Sequence, residues 1–256
     1  MNVLNAVMRT GCLLVIAALI GLPMTAEKSF SQSIEETLFG KADSVMQAVT
    51  QTGADVLAPK NYGEAMDYYN DAREDFEKGR NLEDIRKKLR AAVNFFQQAE
   101  KSAKLARLTL ANAIKARDDA LNADAPNYAA ELWTDADEEF TDAARELEKG
   151  DVKDAEKRGA KAETVFRQAE LKAIKANYLD ETRTLIETAR ELKAEKKAPI
   201  TLAKAVSLIE QTEQELEQNR YDTDYPRSLA RQAKYEAKHA IYLTRTIKTL
   251  EAEDKE

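Results

Sequence analysis

Residues able to do chemistry are scarce in this chain of 256 residues, which carries one histidine, one cysteine and no glycine-rich loop. His239 stands in Ala-Lys-His-Ala with no second imidazole to pair with. That context suits a solvated or partly packed helical side chain better than a metal ligand or general base. Carboxylates are plentiful, as in Asp135, Asp137, Glu138 and Glu139, or Glu251, Glu253 and Asp254. A di-metal bundle site would accompany such carboxylates with Glu-x-x-His pairs, and a calcium loop would follow an Asp-x-Asp-x-Asp-Gly pattern. Neither pattern occurs, and no serine lies in a nucleophile elbow. The expectation is a protein without catalytic residues, cofactor or metal.

The one cysteine belongs to a segment with another purpose. Arg9 precedes an uncharged run from Thr10 to Ala26, whose apolar heart spans Cys12 to Leu22. That length suits the core of a signal peptide and is short for a spanning helix. Residues 1–26 therefore read as an export signal, with cleavage after Ala26 or as late as Ser31. A lipoprotein signal places its cysteine after the apolar run, whereas Cys12 opens it. Removing the signal leaves no thiol chemistry and no disulfide. Kept uncleaved, the same segment would tether the chain to a membrane, the only membrane contact expected. The net charge of −7 is made of interspersed acids and bases. Without a basic stripe to follow a phosphate backbone, nucleic acid is not an expected partner.

The elements that must position everything else are helices. Average usage would supply about 18 glycines and about 13 prolines in this length; the chain has eight and five, against 42 alanines. Frequent turns are thereby excluded, and with them β-rich and α/β folds. Three Ala-Pro dipeptides, at 58–59, 125–126 and 198–199, each open a helical stretch. A second break follows each at Lys78-Gly79-Arg80, Lys149-Gly150-Asp151 and Gln218-Asn219-Arg220. Aligning these breaks gives offsets of 71 and 140 residues. Tyr62 then matches Trp133 and Leu202, Tyr69 matches Phe140 and Ile209, and Phe76 matches Leu147 and Leu216. Phe95, Phe166 and Tyr235 coincide beyond the break, and the second unit shows four extra residues after its Ala-Pro.

This pattern predicts an all-α fold of elongated antiparallel helical hairpins or a bundle, built from about three diverged repeats of roughly 70 residues. The expected divisions are an N-terminal helix at 33–57, repeats at 58–124 and 125–197, and a third repeat with a C-terminal helix at 198–256. Unbroken second helices are expected from Leu82 to about Ala123 and from Val152 to about Lys196. Alanines such as Ala99, Ala103, Ala106, Ala113 and Ala120, or Ala155, Ala162, Ala169, Ala173 and Ala176, would form narrow seams where backbones approach closely. Two aromatics break the repeat. Phe96 aligns with Arg167 and Glu236, and Tyr178 with Arg107, so both are candidate contact points for a partner.

The run Ala125-Pro126-Asn-Tyr-Ala-Ala-Glu-Leu132, continuing through Ala136, Phe140, Ala143, Glu148-Lys-Gly-Asp151, Ala155, Ala162 and Ala169, resembles a domain of unknown function. Members of that family are alanine-rich helical proteins of the Gram-negative envelope, often preceding an OmpA-like domain. The rhythm of tyrosine, alanine and glycine turns is also similar to tetratricopeptide repeats, though their period is shorter. The resemblance implies a periplasmic, non-enzymatic scaffold or spacer with envelope protein partners. The alternatives are a tetratricopeptide-like module holding a peptide or envelope partner, and a signal-anchored rod. The chain ends in Glu-Ala-Glu-Asp-Lys-Glu256 without an OmpA-like domain, so peptidoglycan binding does not carry over.

Overall fold

Helix-forming residues dominate because alanine, glutamate, lysine, leucine and arginine lose little on entering a helix. The computed structural model describes the backbone of residues 24–222 and 224–254, with side chains from Ile34 onward. Among the described residues there are eleven helices and no strand, so the chain is all-α. The cysteine and most of the predicted signal lie outside the described residues. The two predicted cleavage points, after Ala26 and Ser31, fall in the first turns of α1.

Helix α1 (Met24–Gln51) is followed by a four-residue helix α2 (Ala54–Leu57), then α3 (Pro59–Glu77) and α4 (Leu82–Thr109). Helices α5 (Ala111–Asn122), α6 (Ala125–Tyr128), α7 (Ala130–Lys149) and α8 (Val152–Glu191) repeat that order. Helices α9 (Ala194–Lys197), α10 (Pro199–Gln218) and α11 (Asp224–Glu253) complete it, with the second half of α8 standing where α1 and α5 stood. Three three-helix sections result: α1 with α3 and α4, α5 with α7 and α8, and α8 with α10 and α11. The middle helix of each packs most extensively on the helix that follows it. Helix α8, 40 residues long, serves two sections and spans about 60 Å at 1.5 Å per residue.

The junction that opens each section corrects the register read from the prolines. Gly53, Asp124 and Lys193 all adopt left-handed backbone, with φ of 67°, 62° and 66°. A buried alanine follows each, Ala54, Ala125 and Ala194, and then a one-turn helix. A second alanine, Ala58, Ala129 and Ala198, closes that turn by donating its N–H to the carbonyl of Ala54, Ala125 and Ala194. Ala125-Pro126 thus matches Ala54-Asp55, while Ala58-Pro59 and Ala198-Pro199 match Ala129-Ala130. The four extra residues predicted in the second unit do not exist. Pro126 opens the short helix instead of the long one.

The aromatic alignment needs the same correction beyond the second break. Asn81 caps α4 by accepting from the Glu83 N–H, and Asp151 caps α8 by accepting from Asp154. The turn before α8 is one residue shorter, so the third helices align at 70 and 141. Ile85, Ala155 and Pro226 then coincide as buried positions, as do Ala92, Ala162 and Ala233. Phe96 becomes the equivalent of Phe166 and Ala237, all fully buried. Phe96 packs edge-on against Tyr62 at 5.6 Å, and Phe166 meets Trp133 at 5.2 Å. Tyr235, by contrast, is exposed.

The predicted continuous helix from Leu82 to Ala123 is interrupted at Leu110, where φ is −106°. Between equivalent buried positions the stretch Ala103 to Leu110 is one residue longer than Ala173 to Leu179. The interruption absorbs that residue, and α8 runs through unbroken. The alanine seams form except at one member: Ala99, Ala103, Ala106, Ala113, Ala120, Ala155, Ala162, Ala169 and Ala173 are buried, whereas Ala176 is only half-buried.

Candidate functional site

Two of the four carboxylates clustered on α7 are held in ion pairs. Asp137 accepts from Arg117 at 2.9 Å, and Glu139 accepts from Arg158 at 3.1 Å and Lys161 at 2.7 Å. These pairs tie α7 to α5 and α8. Asp135 and Glu138 face solvent. Among the described residues no three His, Cys, Asp or Glu side chains are placed to hold a metal ion. His239 lies 5.7 Å from the Tyr235 ring and 4.0 Å from Glu236, at the surface of α11. No helix among the described residues is long and apolar enough to cross a membrane.

The sequence-predicted contact residues stand in two different settings. Phe96 is a core residue beneath Tyr62, and its burial removes it from the surface. Tyr178 is half-buried in the seam between α8 and α11, where the Arg227 guanidinium lies 5.9 Å above its ring. They are not brought together.

What the sequence reading missed is a pair of joints between sections. At the first joint Glu148, near the C-terminus of α7, caps the N-terminus of α3. Its two carboxylate oxygens accept the N–H of Lys60 at 3.0 Å and of Asn61 at 2.7 Å. These are free donors of a first helical turn, a favourable place for a negative group. Burial nonetheless raises the Glu148 pKa above the ordinary glutamate value, with the two N–H groups and the Lys60 charge opposing the rise. Around this cap one apolar core runs unbroken from Phe39 to Ala173.

The second joint is built from charge. Glu170, 2% exposed, receives Arg167 at 3.1 Å and Arg220 at 3.3 Å. Arg167 also donates to Asp119 of α5 at 2.6 Å and to the Tyr221 hydroxyl at 2.9 Å. Arg220, in the loop between α10 and α11, donates in addition to the Arg167 carbonyl at 2.5 Å. Lys175 and Glu217 add an outer pair at 2.7 Å. Burial disfavours the charged Asp119 carboxylate, but Lys115 and Arg167 outweigh it and hold its pKa below the ordinary range. No residue from 174 to 178 is fully buried, and a separate apolar core begins at Leu179. Neither joint is announced by periodicity: the first joins residues 87 and 88 positions apart, and the second needs Arg220 and Tyr221 folded back onto α8.

One further feature is a groove of about 700 Å³ between α1 and α4. Leu38, Leu82, Leu89 and Val93 line it, with Lys41, Arg86 and Arg90 at its edges. No protein-family model, curated protein or solved structure matches the chain.

Proposed function

We propose that the chain is a non-enzymatic scaffold or spacer of the periplasm, exported through its N-terminal segment and acting through helix surfaces on envelope proteins. The observation that carries this reading is the sharing of helices: α4 with α5, and α8 alone, pass from one section to the next and fix their spacing. Scaffolds gain from such sharing because each section presents its outer faces at a set interval. The resemblance to alanine-rich envelope domains points the same way.

The test is crosslinking in living cells through a photoreactive side chain at exposed positions 67, 138 or 207, which are equivalent in the three sections. Discrete crosslinked species in the envelope fraction, on a chain whose N-terminus begins after Ala26 or Ser31, are expected. Uncrosslinked chain at all three positions would overturn the scaffold, and an intact Met1 in membranes would replace it with the signal-anchored rod. The groove between α1 and α4 favours the second reading, a module that holds a partner segment.

A further inference from the structure

The seam between the first and third helices recurs in each section, and its three versions differ in what fills them. In the third section Tyr178 and Glu181 take the places of Leu38 and Lys41. Arg227 covers Tyr178, and Lys234 forms an ion pair with Glu181, so the chain closes this seam with its own aromatic ring and carboxylate. In the second section Leu110 fills the seam against Gly159. A Cβ at Gly159 would stand 2.6 Å from the Leu110 Cδ2, and a gap of about 200 Å³ edged by Glu156 and Glu163 is left.

The first section has the opposite balance. Its groove is more than three times larger and keeps Leu82, 42% exposed, at its mouth. Lys41 stands where the third section has Glu181, so α1 adds a cation to a seam that already holds Arg86 and Arg90. The α1 carboxylates Glu35 and Asp43 go instead to Arg73 on α3. Arg86 and Arg90 are met by Glu83 of their own helix, at 3.6 and 3.2 Å, in exposed pairs that contribute little. Among the described residues an apolar floor within a cationic edge remains open.

We propose that this groove docks an amphipathic α-helix of a partner protein, with apolar side chains on one face and carboxylates flanking them. Charge complementarity and the third section's own closure argue for that chemistry, since Tyr178 and Glu181 show which groups this seam accepts. The lining of α4 from Leu82 to Asn94 matches a docked helix of about 12 residues, or about 18 Å. This inference deepens the second reading above, with helix-in-groove recognition as its mode.

The experiment is fluorescence anisotropy on the full chain with a labelled leucine-rich helical peptide flanked by glutamates, beside its lysine-flanked counterpart. The glutamate peptide should bind at least tenfold more tightly, and about 0.5 M salt should weaken it. Arg86→Glu with Arg90→Glu should reverse the preference. The double variant Leu38→Tyr with Lys41→Glu, which installs the third section's ring and carboxylate beneath Arg86, should reduce binding at least tenfold while thermal stability holds. Equal binding of both peptides, no binding of either, or binding unchanged in the Leu38→Tyr/Lys41→Glu variant would overturn the proposal. Saturable binding of palmitate in place of either peptide would overturn it in favour of a lipid. Crosslinks at positions 67, 138 and 207 would then persist if the scaffold reading stands on its own.

Discussion

The first joint has a broken helix and an unbroken core; the second has an unbroken helix and a broken core. Between sections one and two, α4 and α5 are interrupted at Leu110, yet apolar packing is continuous and Ala106 beside the break is fully buried. Between sections two and three, α8 passes straight through while the cores stop at Ala173 and resume at Leu179. There the alanine equivalent to that stretch, Ala176, is only half-buried, and the cluster around Glu170 bridges the gap. Backbone continuity and core continuity are separate devices, and each joint relies on one of them. Apolar packing depends little on salt or pH, whereas a partly exposed charge cluster depends on both.

The largest expected effect comes from cutting the core at the first joint. Leu110→Ala should cost about 3 kcal/mol in urea unfolding, as buried leucines generally do. It should also change the sign at Gly159. Gly159→Ala should destabilise the natural chain because its methyl meets Leu110, but in the Leu110→Ala background it should stabilise by up to about 1 kcal/mol through helix propensity. A penalty of equal size in both backgrounds would show that Leu110 does not fill this seam.

Arg167→Ala should cost about 2 kcal/mol, less than breaking a fully enclosed pair because Arg220 still reaches Glu170. Its signature is selective: proteolysis should accelerate within residues 174–178 and leave the Leu110 region unchanged. Acid should act on the same joint. The Asp119 pKa is lowered in the fold, so its contribution is present above about pH 4 and is lost as pH falls through the depressed value. Glu148 has the opposite sign, because its raised pKa makes ionised burial costly and falling pH relieves that cost. Hydrogen exchange at about pH 3.5 and about pH 6 should therefore show residues 174–178 opening at the lower pH while the first joint stays protected. The reverse order would contradict the contrast.

The smallest effect concerns the turn that enters the third section. A lysine in left-handed backbone is strained, whereas Gly53 at the equivalent turn is not. Lys193→Gly should stabilise by about 0.5–1 kcal/mol in thermal unfolding, and Gly53→Ala should destabilise by a similar amount.

These turns also mark where sequence reading ended. Spacing by three and four residues puts Tyr62, Ala65, Tyr69, Ala72 and Phe76 on one helix face, and that face is the covered one, buried at Ala65, Tyr69 and Ala72 and half-buried at its ends. Gly79 and Gly150 announced the second breaks because glycine reaches left-handed φ cheaply. Asp124 and Lys193 adopt the same conformation without that signature, so the prolines are the visible mark of the junction, and they put the second unit out of register. One residue fewer in the turn before α8 was enough to exchange Phe95 and Phe96, and so to cast a core aromatic as a surface anomaly. The open groove was invisible for another reason: Lys41 and Arg86 are 45 positions apart, and their shared seam exists only once α1 lies on α4.

The most direct test of the unequal joints is a pair of distance measurements by double electron–electron resonance on the full chain. Spin labels at positions 67 and 138 span the first joint, and labels at 138 and 207 span the second. The account predicts that raising salt from about 0.05 M to about 1 M, which shortens the screening length to about 3 Å, broadens the 138–207 distribution and leaves 67–138 unchanged. Broadening across both joints, or across the first alone, would contradict it.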